Sequence, residues 1–223
     1  MRTMVFASVL ASLMATASTA DEIWAAVDTS DSVPLFLEDD VAARAGRTIA
    51  DAVRKLGPGD KVFLRSFGEA GVSETQIHVN IEMAGRTRPQ NVARDIEQLF
   101  GSLPELVRQG KLKVEHRTNV MGWLERVGPM LNCREEPTKL IVATDAIEWS
   151  EAIKGSELLQ GAPLPPPSGR ILEGCEVEFW GVGQQQKKFG NDDRWYPILK
   201  SAWTVWMDAA GAASFKAYAD YSR

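Results

Sequence analysis

The stretch WAAVDTSDSV, residues 24–33, joins a run of apolar side chains to a cluster of side-chain oxygens. The apolar residues predict a short buried strand over residues 23–27. Asp28, Ser30 and Ser32 follow at every second position, and alternate residues of an extended chain point in the same direction. We therefore expect the carboxylate and both hydroxyls to converge just beyond the end of this strand.

Strand and helix patterns alternate along the rest of the chain. Strands are predicted at residues 23–27, 61–67, 73–85, 139–144 and 176–182, and helices at residues 41–56, 89–109, 119–131 and 193–210. Gly101 and Pro104 predict a break in the second helix. The proline-rich residues 161–170 predict a surface loop, and the residues after 210 are expected to form a tail or a short extension.

The alternation predicts an α/β fold. Residues 73–85, SETQIHVNIEMAG, alternate polar and apolar side chains and follow the preceding strand after a short turn, which predicts an antiparallel strand at the sheet edge. The other strands are separated by helices, which favours parallel pairing. The prediction is a doubly wound, mostly parallel sheet with one antiparallel edge strand and helices on both faces.

Two further oxygen-bearing residues are expected beside the first cluster. Ligands of such sheets bind beyond the carboxyl ends of the strands, and Asp145 directly follows the apolar stretch LIVAT. Thr118 precedes a predicted helix, where it either caps the helix alone or also offers its hydroxyl to a ligand. Oxygen-only ligands suit a hard cation, with Mg²⁺ favoured and Ca²⁺ or Mn²⁺ possible.

These residues resemble the metal site of the von Willebrand factor A (vWA) domain family. The family binds its metal at a metal-ion-dependent adhesion site (MIDAS), made of D-x-S-x-S after the first strand, a later Thr and a later Asp. The matching residues here are Asp28, Ser30, Ser32, Thr118 and Asp145. The stretches CEVEFWGVG (residues 175–183) and DDRWYPILKSAW (residues 192–203) are similar to the family's late strand and last helix, so the resemblance covers residues 22–211.

The resemblance implies a vWA/Rossmann-like fold and a metal-dependent contact with a protein partner, which donates a carboxylate to the metal. Two departures affect the site: Arg117 and Ala146 stand where the family often has glycine. Arg117 brings a positive charge that either weakens metal binding or pairs with an acidic group of the partner. Arg117, Glu148 and Trp149 are the candidate partner contacts, and Trp149 alternatively packs against the following helix.

Residues 1–20 predict a secretory signal peptide, with an uncleaved membrane anchor as the alternative. Cleavage after Ala20 would leave a single domain over residues 21–223, secreted to a bacterial periplasm, without a membrane span in the mature chain. In that oxidising compartment Cys133 and Cys175 predict one disulfide, with two separate buried thiols as the alternative.

Composition narrows the class of partner. The net charge is -5 and no run of Lys or Arg occurs, which disfavours nucleic acid and anionic membranes as partners.

The sequence lacks the G-x-S-x-G, P-loop and G-x-G-x-x-G motifs of common enzyme classes. We therefore predict that the protein is not an enzyme. The alternatives are a Mg²⁺-dependent phosphohydrolase, with Lys154 or Lys139 as the nearby lysine, and a structural accessory of the envelope or of secretion with a non-functional metal site.

Overall fold

The computed structural model describes residues 21–69, 76–186 and 192–221, which form a six-stranded sheet between two layers of helices. The strands are β1 (Glu22–Asp28), β2 (Lys61–Phe67), β3 (His78–Glu82), β4 (Thr138–Ala143), β5 (Glu176–Trp180) and β6 (Ser214–Tyr218). Their order across the sheet is β3-β2-β1-β4-β5-β6. Only the β2–β3 pair is antiparallel among these strands, which confirms the predicted fold class and the antiparallel edge strand.

The helices cover both faces of the sheet. They are α1 (Asp39–Val53), α2 (Pro89–Arg108), α3 (Val120–Val127), α4 (Gly155–Leu159) and α5 (Trp195–Ala210). α1 and α2 pack on one face, and α3, α4 and α5 contribute to the core on the other. Within the described residues no helix combines the length and the apolar character needed to cross a bilayer.

β1 lies at the centre of the sheet and is buried along its whole length. Ile23, Ala25 and Val27 belong to the core under α1 and α2. Trp24 and Ala26 belong to the core on the opposite face. Because helices cover both faces, the strand is apolar on both, and this explains the unbroken run of apolar residues that the sequence shows before Asp28.

The register of the parallel strands fixes where the polar residues emerge. Val27 of β1 is paired with Ala143 of β4. The next residues, Asp28 and Thr144, therefore leave the sheet side by side at its carboxyl edge. Asp145 follows Thr144 at the same edge, which is the edge at which ligands of such sheets bind.

Two sequence predictions about regular structure were wrong. α2 continues through Gly101 and Pro104, because Phe100, Leu103 and Pro104 are buried in the core that α2 shares with α1, and this packing outweighs the missing backbone N–H of the proline. The residues after 210, for which a tail or a short extension was predicted, form β6 as a parallel strand beside β5. The strand 73–85 is shorter than predicted, and its residues 73–75 lie outside the described residues.

The predicted disulfide is confirmed. Cys133 and Cys175 are bonded, with their Cα atoms 4.9 Å apart. The bridge ties the segment after α3 to the residue before β5. Residues 161–170 form the predicted loop between α4 and β5.

Candidate metal and partner site

Asp28 is the centre of a buried hydrogen-bond network at the carboxyl edge of the sheet. Its side chain is fully buried. The hydroxyls of Thr144 and Thr118 donate to its carboxylate, at 2.6 Å to Oδ2 and 2.9 Å to Oδ1, and the N–H of Ser30 donates to Oδ1 at 2.8 Å. Burial raises the pKa of Asp28, and the hydrogen bond from Thr144 is the largest effect opposing the rise.

The loop after β1 places Ser30 and Ser32 next to each other. Their Oγ atoms lie 3.1 Å apart. The loop is held from the side by the strand-like segment before Thr118: Ser30 and Glu115 form a parallel bridge, and the N–H of Asp31 donates to the carbonyl of Glu115 at 2.7 Å. Ser30 is buried, whereas Ser32 is partly exposed and marks the open side of the cluster.

Asp145 adds a second buried carboxylate. The N–H of Ile147 donates to its Oδ1 at 3.0 Å. Its Oδ2 is buried without a hydrogen-bond partner among the described residues, although the side chains of Ser32 and Gln185 lie near enough to lower its pKa. Burial and the negative charge of Asp28 outweigh these effects and raise the pKa of Asp145 to about 7.

The five residues expected to bind a metal thus lie at one edge of the sheet, around two buried carboxylates. In the described part of the chain no group of three or more His, Cys, Asp or Glu side chains is placed to share a metal. The donors here are instead two carboxylates and three hydroxyls, the hard oxygen ligands that Mg²⁺, Mn²⁺ and Ca²⁺ prefer. Oδ2 of Asp145 has no hydrogen-bond partner among the described residues, and the charge of Asp28 acts on the same carboxylate; a cation would satisfy both.

Ala146 keeps the backbone conformation that glycine favours. Its φ is 62°, the only positive φ of a non-glycine residue in the described chain. The conformation is held by hydrogen bonds on both sides: its N–H donates to Oγ1 of Thr144 at 3.0 Å, and its carbonyl accepts Nε1–H of Trp203 at 2.8 Å. The alanine therefore follows a glycine-like path after Asp145 at a cost of about 1–2 kcal/mol in backbone strain.

The prediction that Glu148 contacts a partner was wrong, because its side chain is fully buried. Its Oε2 accepts the N–H of Met121 at 3.0 Å, in the first turn of α3, where a carboxylate favours the helix dipole. Burial raises its pKa to about 7. The N–H of Trp149 donates to the carbonyl of Thr118 at 2.8 Å, so the segment after Asp145 fixes the Thr118 loop from two points.

Thr144 and Tyr221 belong to the site although the sequence alone did not select them. Thr144 was assigned only to the end of a strand, yet its position directly before Asp145 is the signal that could have identified it. Tyr221 is fully buried, and the charges of Asp145 and Asp28 help to raise its pKa further. Its ring lies against Gly181, where an added Cβ would approach Cζ to 2.1 Å.

A cavity of about 310 Å³ opens above the cluster. Its lining includes Ser30, Ser32 and Thr118, together with Arg117 and Trp149. Trp149 is 40% exposed and packs beside Gly155 at the start of α4, as its alternative prediction expected; its contact with a partner stays a prediction. Neither lysine considered for phosphate chemistry lines this cavity: Lys139 lies in β4 and pairs with Glu178, and Lys154 precedes α4.

Comparison with known proteins bears on the fold. No protein-family model and no curated protein matches the chain. Among solved structures, the pilus adhesin SpaC from Lactobacillus rhamnosus GG is 13% identical, with a TM-score of 0.50, over 92% of this chain and 29% of SpaC. BatB, a conserved hypothetical protein from Bacteroides thetaiotaomicron, is 16% identical, with a TM-score of 0.47, over 90% of this chain and 91% of BatB.

A von Willebrand factor type A structure from Catenulispora acidiphila is 14% identical, with a TM-score of 0.47, over 90% of this chain and 39% of that one. The fold is vWA/Rossmann-like. The strand order and the single antiparallel pair among the described strands support this fold, and function is left to the chemistry of the site.

Proposed function

We propose that this protein binds a divalent cation, Mg²⁺ first among the candidates, and uses it to bind a partner protein. The cation ligands are Asp28, Ser30, Ser32, Thr118 and Asp145. The observation that carries the proposal is the pair of buried carboxylates, in which Oδ2 of Asp145 lacks a hydrogen-bond partner among the described residues. Two like charges buried together are costly unless a cation balances them.

The chemistry of the donor set supports a role in binding a carboxylate. Two aspartates balance the charge of a divalent ion, and the three hydroxyls add no charge. The hydroxyl of Thr118 donates a hydrogen bond to Asp28. The lone pairs of the Thr118 oxygen therefore remain available to a ligand. When bound, the cation supplies an electrophilic position that accepts one more oxygen, and a Glu or Asp of the partner can provide it. The cavity above the cluster gives that side chain access.

The proposal includes an oxidising location outside the cytoplasm, namely a bacterial periplasm reached through a signal peptide. The disulfide between Cys133 and Cys175 supports this compartment, because such bonds persist mainly in secreted proteins. The segment that carries the signal prediction, residues 1–20, lies outside the described residues. N-terminal sequencing of the protein recovered from a bacterial periplasmic extract tests cleavage after Ala20.

Calorimetric titration with Mg²⁺ and Mn²⁺ tests the cation site. We expect one ion to bind per chain in the wild type, and binding to be lost in Asp28→Asn and Asp145→Asn. Asp51→Asn removes an equal charge from the exposed face of α1 and serves as the matched control. Equal binding by Asp145→Asn and Asp51→Asn would remove the basis of the proposal.

Capture of proteins from an envelope extract tests the proposed cation-dependent binding of a partner. Tagged protein is incubated with envelope extract in Mg²⁺ or in a chelator, alongside Asp145→Asn in Mg²⁺. A partner of this site is retained only by the wild type in Mg²⁺. Retention that is equal in all three conditions would place the contact elsewhere on the molecule and leave the cation without the proposed role.

A further inference from the structure

Arg117 and Trp149 form the wall between two cavities at the carboxyl edge of the sheet. One is the cavity of about 310 Å³ over the cation ligands. The other, of about 460 Å³, is lined by Arg117, Trp149, Glu69, Met121 and others. A group bound in the smaller cavity therefore lies in a space that Arg117 lines together with Ser30, Ser32 and Thr118.

The guanidinium of Arg117 lies against an aromatic ring and is not held in a strong ion pair. Its Cζ lies 6.0 Å from the centre of the Trp149 ring, within the range of cation–π contacts. Among the described residues its charged partner is Glu69, at 3.8 Å, and both side chains are more than half exposed, at 56% and 54%. Such exposed pairs contribute little, so an incoming carboxylate can compete with Glu69.

Other polar groups near Arg117 already have hydrogen-bond or ion-pair partners. The N–H groups at the start of α3 donate to Asn119, at 2.6 Å from Gly122, and to Glu148, at 3.0 Å from Met121. His116 lies 3.3 Å from Asp31. Among the described residues that line the two cavities, Arg117 is therefore the cationic group best placed to receive a second anion.

We propose that Arg117 is a specificity-determining residue that selects a partner segment with two carboxylates. One carboxylate binds the cation, and the other pairs with the Arg117 guanidinium against the face of Trp149. An arginine held on an aromatic ring is preorganised for a bidentate contact with a carboxylate, which a lysine would not reproduce. This inference rests on the proposed function, because the first carboxylate needs the cation.

Small dicarboxylates test the inference without knowledge of the partner. Binding of glutarate, adipate and suberate, and of the monomethyl ester of each, is measured by NMR titration in saturating Mg²⁺. The ester keeps the size of the diacid and removes one charge. We expect at least one diacid to bind about fivefold more tightly than its ester, the upper range for an exposed ion pair.

Three variants locate the effect. Arg117→Gln abolishes the preference for the diacid and leaves the ester within about twofold of its wild-type affinity. Glu69→Gln increases the preference, because it removes the competing carboxylate. Arg94→Gln, which removes an exposed charge from α2, leaves it unchanged.

The outcomes separate this inference from the proposed function. Mg²⁺-dependent binding of the esters without a preference for any diacid, or a preference that survives in Arg117→Gln, would overturn the inference and leave the cation-dependent site standing. Absence of Mg²⁺-dependent binding for every probe, with Mg²⁺ itself bound, would overturn the role of the cation in carboxylate binding and this inference with it.

Discussion

Replacing Asp145 with asparagine should make the cation-free protein less sensitive to pH. Burial and the charge of Asp28 raise the pKa of this carboxyl from 3.8 to about 7. A raised pKa means that the folded protein holds the proton more tightly than the unfolded chain. The stabilising effect of that proton is complete below pH 3.8 and is lost as the pH rises through about 7.

The magnitude follows from the linkage between protonation and folding. Each carboxyl that stays protonated only in the folded state lowers the free energy of unfolding by about 1.4 kcal/mol per pH unit. Because the folded carboxyl is already half ionised at pH 7, the loss attributable to Asp145 between pH 5 and pH 7 is about 2 kcal/mol. The pKa of Glu148 is also raised to about 7, so this residue lowers the free energy of unfolding over the same pH range. The Asp145→Asn variant keeps this contribution.

Urea unfolding in the presence of a chelator measures this difference. Wild type and Asp145→Asn are compared at pH 5 and pH 7, with Asp51→Asn as the control for removal of an exposed carboxylate. We expect the wild type and the control to lose stability over this range, and Asp145→Asn to lose about 2 kcal/mol less. An equal loss in Asp145→Asn and the wild type would show that this carboxylate is not buried beside a like charge.

Three further outcomes follow from the packing and the site. Gly181→Ala should lower the free energy of unfolding in urea by about 3 kcal/mol or more, because it adds a Cβ at φ 89° against the ring of Tyr221. Replacing Cys133 and Cys175 with serine should cost about 4 kcal/mol in the same assay, since the bridge closes a loop with a sequence separation of 42. Thr144→Val should weaken Mg²⁺ binding in calorimetry by about tenfold, because it removes the hydroxyl that holds Asp28.

Each of these outcomes has an internal control. Gly59 has φ 93° with no atom within 4 Å of an added Cβ, so Gly59→Ala carries the backbone strain alone, and an equal cost at both glycines would contradict the overlap with Tyr221. Reduction of the wild type should reproduce the loss seen in the serine variant. Thr204→Val, on the outer side of α5, should leave Mg²⁺ binding unchanged. A Thr144→Val protein with unaltered affinity would remove Thr144 from the site.

The sequence was sufficient for the centre of the fold because the physical signal there is local. An apolar run followed by alternating oxygens defines β1 and its end, and the register with β4 then brings Asp28 and Thr144 together. The antiparallel edge strand was predictable for the same reason: residues 78–82 face solvent with one side and the core with the other, and this leaves a period-two pattern.

The remaining features depend on packing between distant segments. Pro104 normally disfavours a helix interior, and only the contact between α1 and α2 explains why α2 continues past it. β6 is five residues long and gains its stability by pairing with β5, a partner that the local pattern does not specify. Glu148 looked like a surface acid beside Trp149, and its burial follows from the position of α3, whose first turn it caps.

We propose that Asp28 and Asp145 together would hold a divalent cation. Crystals of residues 21–223 grown in Mn²⁺ and measured with anomalous scattering locate such an ion directly. We expect an anomalous peak in contact with both side chains and with a hydroxyl from the serines or Thr118. A protein saturated with Mn²⁺ that shows its anomalous peak elsewhere, and none beside these two carboxyl groups, would contradict this proposal.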